Sequence, residues 1–196
     1  MKKKIYLASA SPRRKELLKQ LIGKNFEIIK SDYEEDNNLD MPPLELIYHH
    51  CLEKGKDVLK KIKTGIIISA DTVGLLDGEI LGKPHTKENA KKMLKKLSGK
   101  KIDVLTCFSV MDKETGIIIK NHERTVVYMD NYSDETIKQY VETSEPLDKA
   151  AAFAIQQKGS ILVKKINGDY FNVVGFPLFK LSKALQKVGI NVFEYK

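Results

Sequence analysis

The spacing of apolar and polar positions divides the chain into short strands alternating with amphipathic helices. Residues 4–9 predict a strand. Ser11 then fits an N-cap and Pro12 the first helical position, with Leu17, Leu18 and Leu21 on the apolar face of a helix to about residue 22. Residues 25–30 predict a second strand, and "SDYEEDNNLDMPP" an acidic loop ending in prolines. A helix follows from about 43 to 62, with Ile47, Cys51 and Val58 tracing its apolar stripe. The unbroken apolar run "GIIISADTV" predicts a buried central strand with Asp71 at its C-terminal end, and Asp77-Gly78 between apolar pairs a tight hairpin. A helix over 86–97 leads to two long strands, 102–111 and 117–129, joined at "DKETG". A helix near 133–142, a strand at 160–166 and a closing helix from Pro177 to Lys187 complete the pattern. Strands and helices alternate with hairpins inserted and there is no internal repeat, so the expected fold is α/β, a mixed sheet covered by helices.

Length and composition narrow this further. A chain of 196 residues with 42% apolar content is expected to form a single globular domain, with no linker in evidence. The opening "MKKKIYLASA" imitates a secretory signal, but its apolar stretch is shorter than such a segment needs. No later apolar run approaches the roughly 20 residues that span a bilayer, so the cytoplasm is the expected location. The formal charge of +8 suits an anionic partner. Its lysines are spread along the chain, however, and in "KENAKKMLKKLSGK" Ala90, Met93, Leu94 and Leu97 are the buried stripe. Lys91, Lys92, Lys95 and Lys96 are left on a solvated face, which points to solubility rather than to a nucleic-acid partner. Cys51 and Cys107 lack metal-ligand spacing and read as small buried side chains.

Chemistry can sit in few places. The first helix N-terminus offers unpaired N–H groups beside Arg13, Arg14 and Lys15, either a phosphate-binding start or an ordinary capped surface helix. Neither nucleotide-binding glycine motif is present there. Asp71 either holds a metal or activates water, or caps a turn through Thr72. Glu34, Glu35 and Asp36 by themselves read as a solvated acidic loop, and become a metal site only by meeting Asp71. Lys83 stands between Gly82 and Pro84 in a rigid turn, and Lys54 lies at the edge of an apolar stripe, where snorkelling to solvent is the plainer reading. Adjacent His49 and His50 diverge by about 100° on a helix and are left out of the site. No Ser or Cys sits in a recognisable nucleophile motif, so phosphate chemistry leads acyl transfer.

The blocks "LASASPRRKELL", "SADTVGLLDGEILGKP", "AKKMLKKLSGK", "EPLDKAAAFAIQQKGS" and "GDYFNVVGFPL" resemble, in order and spacing, the Maf family of nucleoside triphosphate pyrophosphatases. The resemblance spans nearly the whole chain and implies one Maf-like domain over 1–196. Its sheet would be elongated, as in the inosine triphosphate pyrophosphatases, with a cleft between two lobes. It implies hydrolysis between the α and β phosphates with a divalent metal, Mg²⁺ or Mn²⁺, in a homodimer that clears unwanted nucleotides. Ser9, Arg13, Lys54 and Lys83 would grip phosphates, Glu35 and Asp71 would bind metal, and Asp71 would orient or deprotonate the attacking water. Lys83 and Glu35 would join Asp71 in catalysis, and Thr72 and Gln156 would lie near the base. "SPRR", "ADTV" and Ile155-Gln156 are similar to the branch acting on dTTP and UTP, whereas the 7-methyl-GTP branch tends to carry a Trp and a Gln where Arg13 and Thr72 stand.

The chain departs from the family in "KAAAFAIQQ", where Ala151, Ala154 and Gln157 replace glycines and Phe153 a tyrosine. A Cβ at any of these that requires positive φ would reshape the pocket. His49 replaces a frequent Arg, and Gly74 a frequent branched apolar residue. The rival readings are a pyrophosphatase for non-standard purines, ITP or 7-methyl-GTP, and a nucleotide-binding regulator of cell division without essential catalysis.

Overall fold

The computed structural model describes residues 3–36 and 39–195, so Asn37 and Asn38 of the acidic loop and the first two residues of the signal-like opening lie outside the described residues. Among the described residues, seven strands and six helices follow in the order β1 (Ile5–Leu7), α1 (Pro12–Ile22), β2 (Glu27–Ile28), α2 (Pro43–Lys61), β3 (Ile66–Leu76), β4 (Glu79–Leu81), α3 (Lys87–Leu97), β5 (Lys101–Asp112), β6 (Ile118–Met129), α4 (Asp134–Glu142), β7 (Val163–Asn167), α5 (Tyr170–Val174) and α6 (Leu178–Lys187). They build the expected mixed α/β architecture. The sheet order is β2-β1-β3-β5-β6-β7, with β4 paired to β3. β1 runs parallel to β2 and β3, while β4 and β7 pair antiparallel to β3 and β6. Among the described residues no helix is long and apolar enough to cross a membrane.

Two compact units form. The first holds the described residues up to Asp71 together with Thr106–Glu123 and the chain from Gly175; the second holds Thr72–Leu105 and Arg124–Val174. In the first, Val58 of α2 and Ile62 just after it share a core with Tyr6, Ala8, Ile67 and Met111. The helix approaches very closely at Gly55, where a Cβ would stand 2.7 Å from Met111 Cε and 3.0 Å from Ser69 Oγ. The second unit has its own core, with Leu94, Ile102, Val127, Ile137, Val141 and Phe153 among its buried residues.

Three expectations change. The second strand shrinks to two residues because both are exposed and only β1 supports them. The late strand begins at Val163, since 158–162 coil into a 3₁₀ turn. Asp71 is not at the C-terminal end of its strand: β3 continues to Leu76 because residues 74–76 find a partner in β4, Gly74 opposite Leu81. Asp71 therefore lies in mid-strand.

The Ala-rich segment carries the strain that its missing glycines imply. Ala151 and Ala152 adopt left-handed backbone, φ 53° and 57°, whereas Ala154 and Gln157 do not. An L-residue pays about 1–2 kcal/mol in that region. The Ala151 methyl also fills the space above Gly74, where an added Cβ would stand 2.7 Å from Ala151 Cβ. Gly74 and Ala151 thus share one small volume. Gly74→Ala is expected to destabilise the protein by about 1–3 kcal/mol, and in an Ala151→Gly background by less, with a coupling of about 1 kcal/mol or more. Chemical denaturation of the four-member cycle measures this, and additive effects would contradict it.

Candidate active site

The site in the first unit begins where β1 stops supporting β3. The two strands pair from Ile5↔Ile66 to Leu7↔Ile68, and Ala8 N still donates to Ile68 O at 2.8 Å. Beyond that the chain turns away into α1. The next outward carbonyl of β3, Ala70 O, accepts instead from Arg14 Nη1 at 2.7 Å. Arg14 Nε donates to Gly175 O at 3.0 Å, and its Nη1 also reaches Ser9 Oγ at 3.4 Å. The guanidinium fork thus replaces the missing strand and anchors the residue before Asp71. Ser11 caps α1 as expected, accepting from Arg14 N, while Ser9 Oγ accepts from Ser11 N at 3.2 Å. Burial lowers the Arg14 pKa, opposed chiefly by the negative charge of Asp71.

Opposite this anchor, Lys54 joins the two carboxylates that the sequence could not place together. Its Nζ lies 2.9 Å from Asp71 Oδ1 and 2.5 Å from Glu35 Oε1. Both Lys54 and Asp71 are nearly buried, with side-chain exposures of 13% and 10%. Burial works against the ammonium charge, but Asp71 and Glu35 outweigh it and raise the Lys54 pKa. Lys54 does not snorkel to solvent, because the close approach at Gly55 carries this face of α2 down to β3.

The acidic loop reaches the site because α2 straps it down. Residues 50, 54, 57 and 61 recur at 4, 3 and 4 and so share one helix face. Lys61 Nζ donates to Asp32 Oδ2 at 2.7 Å; Asp57 Oδ2 accepts from Ser31 Oγ at 3.0 Å and Asp32 N at 2.9 Å. Tyr33 Oη and His50 Nδ1 share a hydrogen bond of 2.9 Å. His50 is buried, and burial lowers its pKa although Asp71 and Glu35 oppose the shift. It belongs to the strap through its bond to Tyr33.

The remaining candidates divide plainly. Ser9 joins the cluster through Arg14; Arg13 sits one residue earlier on α1, half-buried. Glu34 and Asp36 are exposed beside Glu35. Thr72, Lys83 and Gln156 belong to the second unit. There Thr72 and Lys83 each lie two residues beyond the Gly74–Leu81 pair, at the open end of one hairpin, and Ala151 N donates to Gly82 O at 3.1 Å. Gln156 is exposed in a turn. The two cysteines are buried, and burial raises both thiols, Cys51 to about 11, which leaves them inert.

On α1, Arg14 is tied to β3 through Ala70 O. The signal was present: Arg14 falls three and four residues before Leu17 and Leu18, on the buried face of the helix. The cluster brings two carboxylates, those of Glu35 and Asp71, together on Lys54 Nζ. Among the described residues no group of three or more His, Cys, Asp or Glu could hold a metal. Two hard oxygen donors suit Mg²⁺, which takes few protein ligands and completes its shell with water and phosphate. The donor set therefore fits that ion and its relative Mn²⁺.

The sequence of the chain matches that of known proteins. A family model described as "Maf-like protein" matches residues 4–188. A protein named dTTP/UTP pyrophosphatase from Methanosarcina barkeri is 54% identical over 192 residues, covering 98% of each chain. One of the same name from Methanococcoides burtonii is 53% identical over 192 residues, and one from Caldicellulosiruptor saccharolyticus 43% identical over 196, each again covering 98% of both chains.

Proposed function

The chain belongs to the Maf family, and on that premise we propose that it hydrolyses dTTP and UTP between the α and β phosphates, releasing the nucleoside monophosphate and pyrophosphate. The observation that carries the reading is the buried Lys54 bridge between Glu35 and Asp71, with the Arg14 guanidinium anchored beside it. The relatives' name supports the choice of pyrimidine substrates over ITP and 7-methyl-GTP. A catalytic arrangement of this kind also favours an enzyme over a binding regulator.

In the proposed reaction Asp71 holds and orients the attacking water and accepts its proton. Lys54 holds Asp71 in place through its ion pair, and with Arg13 and Lys83 it supplies positive charge to the phosphate oxygens, to which Ser9 donates a hydrogen bond. Glu35 and Asp71 would hold a divalent cation, Mg²⁺ or Mn²⁺, whose charge would stabilise the departing pyrophosphate. Thr72 and Gln156 serve the base. The reading extends to a cytoplasmic homodimer that removes unwanted nucleotides.

The test is turnover of dTTP, UTP, dCTP, ITP and 7-methyl-GTP by the purified protein with Mg²⁺, with both products identified. Monophosphate and pyrophosphate from dTTP and UTP, at kcat/KM well above the purines, is the expected result. Orthophosphate as the first product, or ITP as the best substrate, would overturn it.

A further inference from the structure

We propose that Tyr140 and Glu145 position the turn bearing Gln156 and thereby set the preference among nucleobases; the proposal rests on Gln156 serving the base, as put forward above. Ile155 and Gln156 are the central residues of a turn that Gln157 N closes onto Ala154 O at 3.3 Å. A surface turn closed by one long backbone bond does not hold a side chain to a fixed point. Here both ends of the turn are tied to one pair of side chains. On the entering side, Ala154 N donates to Tyr140 Oη at 3.2 Å. On the leaving side, Lys158 N donates to Glu145 Oε2 at 3.1 Å and Gly159 N to Glu145 Oε1 at 3.0 Å. Tyr140 Oη in turn donates to Glu145 Oε1 at 2.9 Å, which closes the clamp.

Three features make this more than ordinary loop packing. The clamp takes main-chain N–H groups only, so it fixes where the Gln156 side chain starts without consuming its carboxamide. Both carboxylate oxygens are used, and hydrogen bonds to an ionised acceptor are roughly twice as strong as neutral ones. The fit is also close: a Cβ on Gly159 would stand 2.5 Å from Tyr140 Oη and 2.8 Å from Ala154 N. Tyr140 is buried on α4 and Glu145 starts the 3₁₀ turn of Glu145–Asp148 just after it, so the clamp is built on rigid structure. A hydrogen-bonding group discriminates between bases only while it is held where the correct base needs it, and a displacement of about 1 Å is enough to cost 100-fold. Tyr140 and Glu145 are thus positioning residues that act through Gln156.

The experiment compares kcat and KM for dTTP, dCTP and ITP in the full-length protein and in Tyr140→Phe, Glu145→Gln, Gln156→Ala and the two double variants with Gln156→Ala. Phe keeps the ring and removes only Oη, so it serves as the test should Glu145→Gln fold poorly; melting curves monitor both. Each clamp variant is expected to lower the dTTP preference by about 10-fold, through KM more than kcat. In the Gln156→Ala background the same substitutions are expected to leave the preference where Gln156→Ala puts it. A folded Tyr140→Phe with unchanged preference, or an equal loss for all three nucleotides, would overturn the proposal while leaving the function intact. An unchanged preference in Gln156→Ala alone would overturn the role of Gln156 and the clamp's effect with it.

Discussion

Replacing Asp71 by Asn is expected to cost about 10²–10⁴-fold in kcat for pyrophosphate release, with nucleotide affinity and melting temperature close to those of the parent protein. The asymmetry follows from the geometry. The amide oxygen introduced by Asp71→Asn can still accept from Lys54 Nζ, which stands 2.9 Å from Asp71 Oδ1, and Lys54 keeps Glu35 at 2.5 Å. The buried ammonium therefore retains one full negative partner and the strand keeps its place. What the amide cannot do is take a proton from water. Isothermal titration with a non-hydrolysable dTTP analogue, beside the kcat measurement, separates the two effects. Full turnover in a folded Asp71→Asn protein would remove Asp71 from the chemistry.

The second large effect is expected at Arg14, where Arg14→Lys should lower kcat by about 100-fold and stability by about 1–3 kcal/mol. Arg14 holds Ala70 O and Gly175 O simultaneously through Nη1 and Nε, a fork that a lysine ammonium cannot copy. With the charge preserved, the loss isolates geometry: Ala70 O loses its partner and the backbone entering Asp71 is no longer pinned. KM should change less than kcat, because the proposed phosphate-binding cations Arg13, Lys54 and Lys83 are untouched. Wild-type kcat in Arg14→Lys would show that only the charge matters.

Much of this was legible in the chain, for physical reasons that differ by element. Ser11-Pro12, the Leu17/Leu18 pair and the apolar run before Asp71 are local signals, and α1 and β3 form where they point. The hairpin signal at Asp77-Gly78 likewise produces the β3–β4 pair. The length of β3 was not legible, because residues 74–76 are held in the strand by β4 rather than by their own pattern. Nor was the fate of Glu35: nothing local distinguishes a solvated acidic loop from one strapped to a helix, and the four clamping positions of α2 acquire meaning only once the loop lies across them. Lys54 misleads in isolation for a similar reason, since its depth depends on Gly55, a neighbour whose missing side chain lets the helix approach the sheet.

In the proposed reaction water attacks the α phosphorus of a pyrimidine nucleoside triphosphate. Hydrolysis of dTTP in ¹⁸O-enriched water, with mass analysis of both products, tests this directly. Labelled oxygen is expected in the thymidine monophosphate and none in the pyrophosphate; label in pyrophosphate, or in orthophosphate, would rule out attack at the α phosphorus.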